Sequence, residues 1–158
     1  MRTILCTLLI AVVPALSAQS KPPSPGTMQI YPAPADIQWH AGPAALPKGV
    51  MSAVLEGDPT KPGLFTMRFK FPAGTKVMPH FHAATEHATV ISGGLYIGMG
   101  DTFEKSKTKL MSQGSFGYWP AGMHHFGYFD KETVLQLHGQ GPWVATYVNP
   151  ADDPRTKR

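Results

Sequence analysis

Between His80 and His87 the chain sets three imidazoles, His80, His82 and His87, beside one carboxylate, Glu86. Imidazole and carboxylate together suit a divalent first-row transition ion. In a strand, side chains alternate between faces, so His80 and His82 point the same way. Two imidazoles on an inward face are costly to bury unless something satisfies their nitrogens. Glu86 reaches the same interior if Ala83, Ala84 and Thr85 bend into the next strand. That strand then carries Ala88 and Val90 on the face of Glu86, and His87 and Thr89 on the other, which leaves His87 packed between layers or exposed. A further ligand is at hand in Met123-His124-His125, just after the turn Trp119-Pro120-Ala121-Gly122. His124 and His125 face opposite ways, and alternation alone does not choose between them.

The elements that must position these groups are β-strands. Glycine and proline recur along the chain, 16 of each in 158 residues, and no stretch sustains a 3.6-residue apolar period. Strands are expected at Gly49 to Leu55, Leu64 to Phe71, Val77 to His82, His87 to Ser92 and Leu95 to Met99. The series continues at Lys109 to Met111, Ser115 to Trp119, His125 to Phe129, Thr133 to His138 and Trp143 to Val148. They are short, rich in β-branched and aromatic residues, and bounded by turn signals such as FPAG, SGG, SQG and GQGP. Many short strands on tight turns in one domain, 28–150, imply an antiparallel sandwich or closed barrel.

Two blocks of this pattern resemble a known family. Gly74, five residues, His80, one, His82, three, Glu86, six, Gly93 is similar at every fixed position to the first motif of the cupins. Gly114, five residues, Pro120, one, Gly122, two, His125 resembles their second motif, and that resemblance selects His125 over His124. It implies an all-β, cupin-type antiparallel jelly-roll barrel, with His80, His82, Glu86 and His125 holding one divalent transition metal ion. Four ligands would leave two positions of an octahedron open for a substrate oxygen, dioxygen, peroxide or water. Copper, manganese and iron are favoured and zinc, nickel and cobalt also occur in this ligand set. One position departs: where the second motif closes with Asn, this chain has Phe129. By alternation His125, Gly127 and Phe129 share a face, so an aromatic ring stands in place of an amide beside the metal.

A cupin with its full ligand set implies an oxygen- or peroxide-using oxidoreductase acting on a small phenolic, enol, diketone or carbohydrate substrate. The alternatives are a non-redox lyase, decarboxylase or isomerase, and a metal-dependent small-molecule or sugar-binding protein. Non-redox catalysis needs a base beside the metal. Gln136 and His138 alternate with leucines, and if their face is inward they are the catalytic candidates. Trp39, Trp119, Trp143, Tyr118, Tyr128 and Phe126 lie in or near turns, where exposed rings could stack on sugars.

The chain's beginning reads as an export signal: a positive start at Met1 to Thr3, an apolar run from Ile4 to Val13 too short to span a bilayer, and small residues allowing cleavage after Ser17, Ala18 or Ser20. Residues 1–18 are expected as signal peptide, 19–27 as a proline-rich leader and 151–158 as a polar tail, so the product is secreted or periplasmic and leaves the membrane on cleavage. Cys6, the one cysteine, falls inside the apolar run, so neither a disulfide nor a thiolate ligand is available to the mature domain. The net charge of +4 is not gathered into a basic patch, which excludes nucleic acid as partner. Cupins often pair through an N-terminal strand; Met28 to Trp39 is the candidate here, and a homodimer is expected.

Overall fold

The computed structural model describes residues 36–157. The expected signal peptide, the leader and most of the Met28 to Trp39 segment lie outside the described residues.

Eleven strands run in chain order: β1 (His40–Ala41), β2 (Met51–Glu56), β3 (Gly63–Phe71), β4 (Lys76–Phe81), β5 (Glu86–Ser92), β6 (Gly94–Met99), β7 (Lys109–Ser112), β8 (Phe116–Trp119), β9 (His125–Tyr128), β10 (Thr133–Gly141) and β11 (Thr146–Tyr147). They form two antiparallel sheets, one ordered β1-β2-β3-β10-β5-β8 and the other β11-β4-β9-β6-β7. This is the jelly roll expected from the sequence. All ten expected strands are present, the last of them only as the short β11, and β1 is an addition that the sequence pattern is too brief to reveal. No helix among the described residues is long and apolar enough to cross a membrane.

The core follows from period-two alternation. β3 reads Gly-Leu-Phe-Thr-Met-Arg-Phe-Lys-Phe, and Phe65, Met67, Phe69 and Phe71 are all buried while the residues between them are only partly so. Its neighbour β10 is registered along its whole length, from Thr133 opposite Phe71 to Gly141 opposite Gly63, and turns Leu135 and Leu137 to the same side. Ala88 and Val90 of β5, Val77 of β4, Leu95 of β6 and Phe129 after β9 belong to the same core, with Leu46, Val50 and Trp119.

Two local devices set the frame. At the β5–β6 turn Gly93 has φ +82°, and a Cβ there would collide with the Glu132 carbonyl and Thr133, so glycine is required on both counts. The wholly buried Thr133 hydroxyl accepts from the Gly94 N–H at 3.0 Å and faces the Gly94 carbonyl at 3.0 Å, tying this turn to the start of β10. In β4, the register to β9 slips between Val77, opposite Gly127, and His80, opposite His125. A bulge over Met78 and Pro79 therefore brings both Val77 and His80 inward, although they stand an odd number of residues apart.

The polar residues after β11 form two single 3-10 turns, Pro150–Asp152 and Pro154–Thr156, capped by the side chains of Asn149 and Asp153. Arg155 pairs with Asp153 at 2.6 Å and donates to the Ala145 carbonyl at 3.1 Å. That contact anchors the end of the described chain to the segment between β10 and β11.

Candidate metal centre

β4 delivers His80, the residue just past it is His82, β5 begins with Glu86 and β9 begins with His125. All four are buried, between 4% and 7% exposed. One ring nitrogen from each of His80, His82 and His125 lies within 4.8 Å of the other two, so this group could hold a metal ion. Glu86 Oε2 stands beside it, 3.4 Å from His82 Nε2 and 3.7 Å from His125 Nε2. The four residues named from the sequence are thus brought together, and His124 is not among them. Its Nδ1 lies 2.6 Å from Asp101 Oδ1 and its ring stacks on Phe81 away from the cluster.

The backbone fixes which nitrogen each imidazole offers. His80 Nδ1 lies 2.8 Å from the Met78 carbonyl, His125 Nδ1 3.0 Å from the Met123 carbonyl and His82 Nδ1 2.8 Å from the Val144 carbonyl. A carbonyl oxygen only accepts, so each Nδ1 carries a proton, and in the neutral ring Nε2 keeps the lone pair. Orientation of a ligating imidazole through its second nitrogen is the usual support of a metal site. His82 Nε2 is buried without any hydrogen-bond partner, a cost that a bound cation would remove.

Electrostatics agree with that use. Burial pushes His80 down to about 3, helped by the neighbouring imidazoles of His125 and His82, so its ring is neutral at ordinary pH. Burial would raise Glu86, but His82, His125 and the Trp143 indole outweigh it and hold the carboxyl at about 2. Trp143 Nε1 donates to Glu86 Oε1 at 2.7 Å, which leaves Oε2 toward the histidines. Indoles also cover two of the rings: Trp143 stacks on His82 at 5.3 Å and Trp119 on His125 at 5.1 Å. A neutral His80 ring, an ionised Glu86 carboxylate and a buried His82 nitrogen without a partner fit a divalent transition ion.

Gln136 and His138, the catalytic candidates, do not stand beside this cluster. Leu135 and Leu137 take the inner face of β10, so the residues between them must point out. Gln136 accepts from Arg68 Nε at 3.0 Å, and His138 stacks on His87 at 4.8 Å on the outer surface. The aromatic residues considered for sugar stacking also divide: Trp119 and Phe126 are buried, while Tyr118 is 61% exposed on the outer side of β8. What the sequence pattern missed is Trp143 as the partner of Glu86, and the three carbonyls. Carbonyls have no residue signature, and Trp143 lies 57 positions from the group it holds.

Comparison with known proteins places this arrangement. The sequence profile of the ChrR cupin-like domain matches residues 27–144. Germin-like protein subfamily 3 member 2 of Arabidopsis thaliana is 34% identical over 93 residues, which is 52% of this chain and 41% of that protein. The chain therefore spans less than half the length of this curated relative. Among solved structures, an acetylacetone dioxygenase from Acinetobacter johnsonii superposes with a TM-score of 0.61 at 18% identity, covering 85% of this chain and 88% of its own. The polyketide cyclase RemF from Streptomyces resistomycificus gives 0.62 at 17% identity, covering 83% and 94%. At such identities these likenesses speak for the fold.

Proposed function

The chain belongs to the ChrR cupin-like domain family, and on that premise we propose that it is an exported, mononuclear metal-dependent oxidoreductase. In this reading it uses dioxygen or peroxide on a small organic substrate. The observation that carries the proposal is the cluster itself: three imidazoles with their Nε2 lone pairs kept free, a buried ionised carboxylate beside them, and an adjoining cavity. When bound, a copper, manganese or iron ion would supply a Lewis acid and an electron-transfer centre. His80, His82, His125 and Glu86 would hold it. Trp119 and Trp143 exclude water from the two rings they cover, and Trp143 keeps Glu86 from rotating.

The absence of a second acid–base group favours redox chemistry over lyase or isomerase chemistry. A proton-abstracting route needs a base beside the substrate, and among the described residues the cavity wall carries no titratable side chain beyond His80, Glu86 and His125. The candidates for that base, Gln136 and His138, are on the other side of the sheet. Metal analysis with electron paramagnetic resonance on the natively exported protein tests the proposal. One redox-active ion per chain and substrate turnover that stops without dioxygen or peroxide are expected. Stoichiometric zinc with turnover unchanged in the absence of both oxidants would transfer the protein to the non-redox class.

A further inference from the structure

We propose that Trp119 and Tyr118 form a two-residue path that supplies an electron to the metal centre when peroxide arrives without a substrate, which makes Tyr118 the site of oxidation on the outer surface. This deepens the metal reading above and rests on it for the oxidant only.

Among the described residues three other rings touch the imidazole cluster: Trp119 lies on His125, Trp143 on His82 and Tyr147 beside His80. Indoles and phenols give up an electron more readily than the other rings present, so each is a candidate donor, and their surroundings set them apart. Tyr147 is buried, and its hydroxyl donates to the Ala45 carbonyl at 2.7 Å. A phenol that loses an electron must also lose its proton, and a carbonyl oxygen is no base for it. Trp143 has its indole N–H committed to Glu86, and beyond His82 its ring meets Phe69, which is far harder to oxidise. Its chain neighbours are Pro142 and Val144. Neither ring leads to a phenol in water.

Trp119 does. It is buried, and its ring lies on His125 with centroids 5.1 Å apart and planes 15° apart. The residue before it on β8 is Tyr118, exposed on the other face of the sheet. Alternation along one strand therefore sets an indole against a metal ligand and a phenol in solvent, joined by a single peptide unit. The step balances as follows. Peroxide takes up two electrons and two protons and leaves as two waters. One electron comes from the bound divalent ion, which becomes trivalent, and the other from Trp119. Trp119 regains its electron from Tyr118, which gives its phenolic proton to water and is left as a phenoxyl radical; the second proton comes from solvent. The pair thus moves an oxidising equivalent away from the ligands to a surface where a reductant can reach it.

The test uses protein loaded with iron(II) in the absence of oxygen, and its metal content is measured first and by itself. One equivalent of peroxide is then added with a nitroso spin trap and no organic substrate, and the trapped sites are mapped by mass spectrometry. The expected result is an adduct on Tyr118 that is lost in Trp119→Phe. In Tyr118→Phe, which alters only an exposed side chain, metal content is unchanged and oxidation products collect on Trp119 instead, so the proposal stays testable if the Trp119 variant does not fold. An adduct on Tyr118 that persists in Trp119→Phe, or one spread equally over Tyr96, Tyr118 and Tyr128, would mean attack from solution and would overturn the proposal. So would metal-loaded protein that gives no adduct on Tyr118. If iron does not bind, the metal reading fails separately, and the pair is decided in the metal-free protein by photoionising its indoles in the presence of the same trap. There, an adduct on Tyr118 in the parent and not in Trp119→Phe supports the path, and an adduct in neither or in both refutes it.

Discussion

Two groups of histidines lie on opposite faces of the same fold. Inside, His80, His82 and His125 each fasten Nδ1 to a carbonyl and aim Nε2 at a shared point. Outside, His87 and His138 face each other across β5 and β10, their rings parallel at 4.8 Å and 10°, flanked by Phe116 and Tyr118. Proximity is similar in both. The difference lies in what holds the second nitrogen: a backbone acceptor fixes the tautomer inside, whereas the outer rings are fixed only by stacking. Closeness of imidazoles does not make a metal centre; orientation, burial and an adjacent ionised carboxylate do.

The comparison breaks most completely at the inner ligands. His125→Ala should weaken metal binding by about 100-fold or more, measured against a chromophoric chelator, because it removes one of the three imidazole nitrogens that lie within 4.8 Å of one another. Next in size is Trp143→Phe, which keeps the ring over His82 but deletes the N–H that holds Glu86 Oε1. It should cost about ten-fold in metal affinity, since partners of metal ligands are typically worth ten- to one-hundred-fold. Retention of full affinity would show that Glu86 needs no such support.

Acid offers a milder way to separate the two groups. His80 has its proton affinity lowered in the folded state, from 6.5 to about 3, so the unfolded chain binds a proton that the folded one refuses. The stability involved is present above pH 6.5 and is lost as pH falls toward 3. Glu86, lowered from 4.5 to about 2, adds a second loss at still lower pH. Metal-free protein should thus lose roughly 2 kcal/mol between neutral pH and about pH 5, seen as a lower urea midpoint. The smallest effect belongs to the outer pair. His87→Ala and His138→Ala should leave metal affinity within about two-fold of the parent, and a large loss would mean that the outer histidines support the site after all.

Much of this was legible in the sequence, and the omissions share a cause. His80, His82, Glu86 and His125 stood in two spaced blocks that demanded a common interior, and alternation set His87 apart from Glu86. Alternation has a period but no sign, however. It groups Gln136 with His138 and Leu135 with Leu137 without saying which set is inward; burial of the leucines decides that. The bulge over Met78 and Pro79 is equally silent in the sequence, yet it is what puts His80 and Val77 on one face. The choice between His124 and His125 needed the second motif, and the structure supplies its physical ground in the pairing of His124 with Asp101 on the outside.

The most direct test of the account is a cobalt(II) titration of the metal-free protein, followed by visible absorption. The expected result is a d–d band that saturates at one ion per chain and is absent from the His80→Ala/His82→Ala variant, whose outer histidines are intact. A band that fails to saturate at one equivalent, or that survives in that variant, would contradict the claim that the inner cluster is the metal centre.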